Sequence, residues 1–167
     1  SWSAGESNNC FARLEDVLDA AKLAFEADGD TGECVGVFWL QGEEDAKHEQ
    51  LANNYENSCR KLRSSVRKAI KDRALTTSDE ENIPFIHPKI TTASNRNYNA
   101  TVNTAIEALA EEDPYTRTFE VSTFALDDGL SIPIHYSGVG MTSMETSAYD
   151  AWRDVQRSGS SEVDVCN

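Results

Sequence analysis

Alternation of amphipathic helices with short apolar strands predicts an α/β protein built on a parallel sheet. Three observations carry this. Four stretches repeat apolar residues every three or four positions, and three short runs rich in β-branched and aromatic residues lie between them. The first of those runs, 34–40 (CVGVFWL), is apolar at nearly every position, which suits a strand covered on both faces better than a half-exposed one.

In chain order, the first helix is predicted over 10–27, on Phe11, Leu14, Leu18, Ala21 and Phe25. Asn8 and Asn9 can cap it, and Asp28-Gly29-Asp30 ends it. The strand 34–40 follows. A second helix, 49–74, carries Leu51, Tyr55, Cys59, Leu62, Val66 and Ile70 on its inner stripe, with Lys61, Arg63, Arg67, Lys68 and Lys71 expected on the solvated faces. The stretch 76–82 (TTSDEEN) reads as a surface loop leading to a second strand, 83–90 (IPFIHPKI). A third helix spans 98–112 on Val102, Ile106 and Leu109, and a third strand is expected at 118–124 (TFEVSTF). The last helix follows Gly140, on Met144, Ala148, Trp152 and Val155. Parallel strands joined by helices imply right-handed crossovers.

The chain has 167 residues, about one domain's worth. Three strands are few for such a sheet, since open doubly wound sheets usually have more and place the first strands centrally. The expectation is one incomplete domain over 1–167, with amino-terminal strands missing and an apolar edge that a second chain completes. Fifteen Lys and Arg against 29 Asp and Glu give a net charge of -14, which argues against nucleic acid, because counterion release at phosphates needs clustered cations. No apolar run approaches the length of a membrane span. Cys10, Cys34, Cys59 and Cys166 show no metal-ligand spacing, and their even number permits two disulfides. With the sequon Asn99-Ala100-Thr101 and the acidic, hydroxyl-rich surface, they lean toward oxidised cysteines and a secreted or lumenal protein. No cofactor or metal is implied: His48, among Glu43, Glu44, Asp45 and Glu49, reads as a helix start whose dipole favours acidic neighbours.

Ligands of open α/β sheets bind beyond the carboxyl ends of the strands. Here that rim comprises 41–46 (QGEEDA), 91–95 (TTASN) and the loop 125–136 that ends at His135 and Tyr136. His87, inside a strand pattern, reads as structural.

Phe38-Trp39-Leu40-Gln41-Gly42-Glu43-Glu44-Asp45-Ala46 resembles the W-x-Q-G-E-x-D-A block of the acetylxylan esterase and sialate O-acetylesterase branch of the SGNH hydrolases. Trp2-Ser3-Ala4-Gly5 with Phe11 is similar to the segment preceding that block, as are Tyr55, Leu62 and Arg63 to the next helix and Ile83-Pro84-Phe85 to the strand opening L-P-F. Asp128-Gly129-Leu130, His135-Tyr136 and Gly140 resemble the terminal region that presents the family's histidine. The resemblance implies a three-layer α/β/α flavodoxin-like fold and deacetylation of carbohydrates by a serine, histidine and acid. It places His135 as general base, Gln41 in the oxyanion hole and Glu43 as a brace of the turn. Two family elements differ. The nucleophile block G-x-S-N does not stand upstream of Trp2, and Ala4-Gly5-Glu6-Ser7-Asn8 only imitates it, because a nucleophile elbow needs a preceding strand. The family's acid lies three residues before its histidine, where this chain has Ile132; Asp127 or Asp128 stand nearby.

The sequence thus supports three readings. One is half of a two-chain or processed esterase acting on acetylated carbohydrate, and another is a degenerate relative serving in binding or assembly. The last is a compact hydrolase using Ser7.

Overall fold

A computed structural model describes residues 10–91, 96–126 and 135–160. Along them run α1 (Cys10–Asp28), β1 (Val37–Phe38), a 3-10 turn (Asp45–Lys47), α2 (Glu49–Asp72) and a second 3-10 turn (Glu80–Asn82). Next come β2 (Phe85–Ile86), α3 (Asn99–Glu111), β3 (Thr116–Arg117) and α4 (Gly138–Ser160). The strands form one sheet in the order β1-β2-β3. The predicted α/β class is therefore observed, and no helix among the described residues is long and apolar enough to cross a membrane. The chain divides into two compact units, one comprising Ser1–Val37 and Asn57–Ile83, the other Phe38–Glu56 and Pro84–Asn167.

The first unit is helical. Its α1 stops where the sequence says it should: Asp30 N–H reaches Phe25 O at 2.9 Å and Gly29 N–H reaches Glu26 O at 3.2 Å, with Gly29 at φ 76°. This paired closure satisfies the last carbonyls and needs a left-handed residue, a role suited to glycine. The end of α2 repeats it with Ala74 in the left-handed position, at φ 54°: Leu75 N–H meets Ile70 O and Ala74 N–H meets Lys71 O.

Burial in this unit departs from the helical stripes in two respects. Only Phe11 of α1 is buried, whereas Phe25 is largely exposed, its ring lying against Gly32. Arg73, just past the end of α2, instead ties down α1 through a two-pronged pair with Asp19, at 2.7 and 2.8 Å. The second departure is that Arg63 and Arg67, expected on the solvated face, are buried. Arg67 is 5% exposed and its Nε donates to Ile83 O at 2.8 Å. A guanidinium can enter a core when its donors are taken up by carbonyls, which hydropathy periodicity does not register. Cys10, Cys34 and Cys59 are not joined in disulfides, contrary to the expectation, and Cys34 Sγ lies 3.5 Å from Gly36 O. Cys166 lies outside the described residues.

The second unit holds the paired strands. β2 and β3 run parallel with Phe85 opposite Thr116 and Ile86 opposite Arg117. The ladder extends from Phe85 N–H on Tyr115 O through His87 N–H on Arg117 O to Lys89 N–H on Phe119 O. The third strand thus begins earlier than the predicted 118–124, and Phe124 N–H already turns back onto Val121 O at 3.0 Å. Asp113 is the reason. Its carboxylate accepts from Tyr115 N–H and Thr116 Oγ1, both at 2.9 Å, folding the chain directly from α3 into β3.

Successive strand residues face opposite sides. Ile86 packs with Ala151 and Val155 of α4, joined by Phe119 and Trp152. Phe85 and His87 point the other way, toward Trp39 and Tyr55. Val102, Ile106 and Leu109 of α3 are buried as predicted, whereas Leu51 at the start of α2 is 45% exposed. The sequon residue Asn99 is the first residue of α3 and only 6% exposed, so the folded chain has little room for a glycan there.

Candidate functional site

The Gln41-Gly42-Glu43 turn leaves β1 at its carboxyl end and is fixed by backbone geometry. Gly42 has φ 135°, a conformation that side chains rarely adopt, and Val102 Cγ1, Tyr55 Oη and Ile90 Cγ2 would stand 3.0, 3.1 and 3.2 Å from any Cβ placed there. Its carbonyl accepts Ala46 N–H at 3.0 Å, and Ala46 O accepts Tyr98 N–H at 3.1 Å, so the turn is docked against the start of α3. His48, the helix-start candidate, closes the 3-10 turn onto Asp45 O and offers its own carbonyl to Ala52 N–H in α2. Among the described residues no group of His, Cys, Asp and Glu side chains is arranged to hold a metal ion.

Gln41 is partly buried and its polar atoms are engaged. Nε2 donates to Asp45 Oδ2 at 2.5 Å. Tyr55 Oη lies 2.8 Å from the Gln41 carbonyl and 3.1 Å from its Oε1. His87 Nε2 lies 3.1 Å from the same carbonyl and 3.2 Å from Tyr55 Oη. Sequence reasoning missed the part played by Tyr55 and read His87 as structural. Tyr55 showed as a member of the α2 stripe and of the family resemblance, and His87 as a polar residue in an apolar strand. That polar residue was the available signal, since buried polar groups require partners.

Glu43 is half-buried near Tyr136, and Tyr136 directly follows His135. Burial chiefly, and then the Glu43 charge, push the Tyr136 phenol up to about 12, against the opposing pull of Arg96. Its Oη is buried with no hydrogen-bond partner among the described residues. Arg96 also acts on Glu44, whose carboxyl is held below its usual range mainly by a hydrogen bond from Lys47. Tyr136, next to His135, is thus within electrostatic reach of Glu43 in the Gln41 turn.

His135 itself is exposed, and its imidazole has no hydrogen-bond partner among the described residues. The chain on its carboxyl side is firmly placed. Leu126 and Tyr136 form an antiparallel bridge, Ser137 N–H meets Ala125 O at 3.0 Å, and Ser137 Oγ accepts Gly140 N–H at 3.2 Å as the cap of α4. Asp127, Asp128 and Ile132, like Ser7, Trp2 and Gly5, lie outside the described residues.

This arrangement suits acyl transfer. An amide with one N–H engaged by a carboxylate keeps a second N–H for an oxyanion, and an exposed imidazole can move protons. Similarity to known proteins agrees. A structure of a protein from Arabidopsis thaliana matches with a TM-score of 0.70 at 20% identity, over 90% of this chain and 54% of that one. At that identity the likeness concerns the fold, and the present chain spans about half the length of the plant protein. No curated protein matches. A family model described as carbohydrate esterase, sialic acid-specific acetylesterase, matches residues 1–144. That match, over residues 1–144 of 167, shows that the chain belongs to this SGNH-type family of carbohydrate esterases.

Proposed function

We infer that this chain is the carboxyl-terminal part of a carbohydrate O-acetylesterase, one half of a two-chain or processed serine esterase. Its nucleophile would be supplied by polypeptide outside these 167 residues. The observation that carries the reading is the Gln41 amide, its Oε1 beside Tyr55 and its Nε2 on Asp45, at the carboxyl end of β1. In the reaction a serine oxygen attacks the acetyl carbonyl while His135 takes the serine proton. The second N–H of Gln41 Nε2 receives the developing oxyanion. His135 then gives the proton to the departing sugar hydroxyl, leaving an acetyl-enzyme. Water, deprotonated by His135, releases acetate and restores the serine. Glu43 braces the turn that presents Gln41.

The partner in this reading is a strand pairing beside β1. β1 stands at one edge of the described sheet, and its Phe38 is 47% exposed. An apolar edge of that kind is one that proteins ordinarily cover. The acidic surface fits a secreted or lumenal setting, although the buried sequon does not add to that case.

The test is acetate release from O-acetylated sialic acid by the natural protein and by residues 1–167 alone, with native mass spectrometry of both. Release that needs the accompanying polypeptide supports the inference; a stable, active monomer of residues 1–167 overturns it. A second reading, a catalytically degenerate subunit serving in binding or assembly, is favoured by Ile132 in the position of the family's acid. It predicts that Ile132→Asp in the assembled protein creates acetate release absent beforehand, and release before the change contradicts it.

A further inference from the structure

We propose that Tyr55 and His87 are positioning residues that fix both the backbone and the amide sense of Gln41. The direction assigned to the free N–H rests on the esterase reading, while the fixing rests on geometry alone. Proton accounting gives the arrangement. The Gln41 carbonyl can only accept, and it lies 2.8 Å from Tyr55 Oη and 3.1 Å from His87 Nε2. A phenol has a single proton, and Tyr55 Oη also lies 3.1 Å from Gln41 Oε1. An imidazole protonated on Nε2 donates to that carbonyl and can accept nothing from Tyr55 Oη 3.2 Å away, which leaves the phenol proton to Gln41. The opposite tautomer would set a nitrogen lone pair against the carbonyl oxygen. The tyrosine proton then lies between the Gln41 carbonyl at 2.8 Å and Oε1 at 3.1 Å, and Nε2–H gives the carbonyl a second donor.

The same accounting orients the amide. If the Gln41 side-chain amide were reversed, its oxygen would face the Asp45 carboxylate, acceptor against acceptor, at the position where Nε2 now lies 2.5 Å from Oδ2. Tyr55 and Asp45 thus select the same sense from opposite ends. Burial makes the selection strict: Tyr55 is 3% exposed and His87 is 1% exposed, so water is poorly placed to replace a lost partner. The bare Gly42 backbone lets Tyr55 Oη approach to where a Cβ would be 3.1 Å away. A leucine at position 87 would fill the strand pattern equally well but would offer the Gln41 carbonyl no proton.

The test uses the full-length natural protein labelled with nitrogen-15, its acetyl-ester kinetics, and the variants Tyr55→Phe, His87→Leu and His87→Gln. In the wild type the two Gln41 Nε2 protons should be separately resolved and slow to exchange with solvent. Tyr55→Phe and His87→Leu should speed that exchange and lower kcat about tenfold while KM stays within about twofold. His87→Gln, which retains a side-chain N–H, should recover much of both. Thermal midpoints taken on each variant separate misfolding from mispositioning. Folded Tyr55→Phe and His87→Leu proteins with unchanged Gln41 amide signals and kcat would overturn the proposal. A wild type whose Gln41 amide is held but which releases no acetate would support the positioning and reject the esterase reading, so the two failures are distinct.

Discussion

Replacing Gly42 with alanine should destabilise the fold more than any other single methyl addition at a described glycine of the Gln41 unit that leaves the backbone path clear. Two costs combine. A side chain held at φ 135° carries strain of about 1–3 kcal/mol. The new Cβ would also stand 3.0 Å from Val102 Cγ1, 3.1 Å from Tyr55 Oη and 3.2 Å from Ile90 Cγ2, and these neighbours are buried and cannot easily give way. Overpacking of such a core costs about 1–3 kcal/mol. The sum is about 2–6 kcal/mol, and each kcal/mol lowers the midpoint of a protein this size by about 2–4 °C. Urea unfolding with shared m-values gives the difference directly. Gly138→Ala is the control: it starts α4 and meets nothing within 4 Å, so its stability should stay within about 0.5 kcal/mol of wild type. A Gly42→Ala protein as stable as that control would refute the claim that this turn is fixed by close backbone approach.

Ala74→Gly should stabilise the protein by about 0.5–1 kcal/mol, because it relieves the left-handed strain at the end of α2 while conceding some chain entropy; chemical denaturation reads it. Asp19 has its carboxyl held below the ordinary value by the Arg73 hydrogen bond, so the pair's contribution is present above about pH 3.9 and fades as pH falls through the lower folded value. Asp19→Asn should accordingly flatten the acid limb of a stability–pH curve and leave its slope near neutrality unchanged. Gln41→Ala should lower kcat for acetyl-ester hydrolysis by about 10²–10³ with little change in KM, as measured by steady-state acetate release.

The helices were legible because their signals are local. Asp28-Gly29-Asp30 announces the end of α1, and Val102, Ile106 and Leu109 give α3 its buried face. The limits of β3 were not legible from apolar content, since the Asp113 side chain starts the strand at Thr116 and the end of the aromatic run, 121–124, belongs to a turn. Arg63 and Arg67 misled for a related reason: charge predicts solvent until a carbonyl such as Ile83 O accepts the guanidinium's hydrogen bond. In the candidate site, Gln41-Gly42-Glu43 stood out as a polar turn leaving a buried strand. Its supports could not be seen that way. Tyr55 lies 14 residues from Gln41 and His87 lies 46 residues from it, and only the folded chain brings them to one carbonyl.

We propose that His135 serves ester hydrolysis in the natural protein. Acetate release from O-acetylated sialic acid, compared between the natural protein and its His135→Ala variant at equal folded concentration, tests it most directly. Measurable release by the natural protein and a loss of about 10³-fold or more in the variant are expected. Equal release by the two proteins would contradict it.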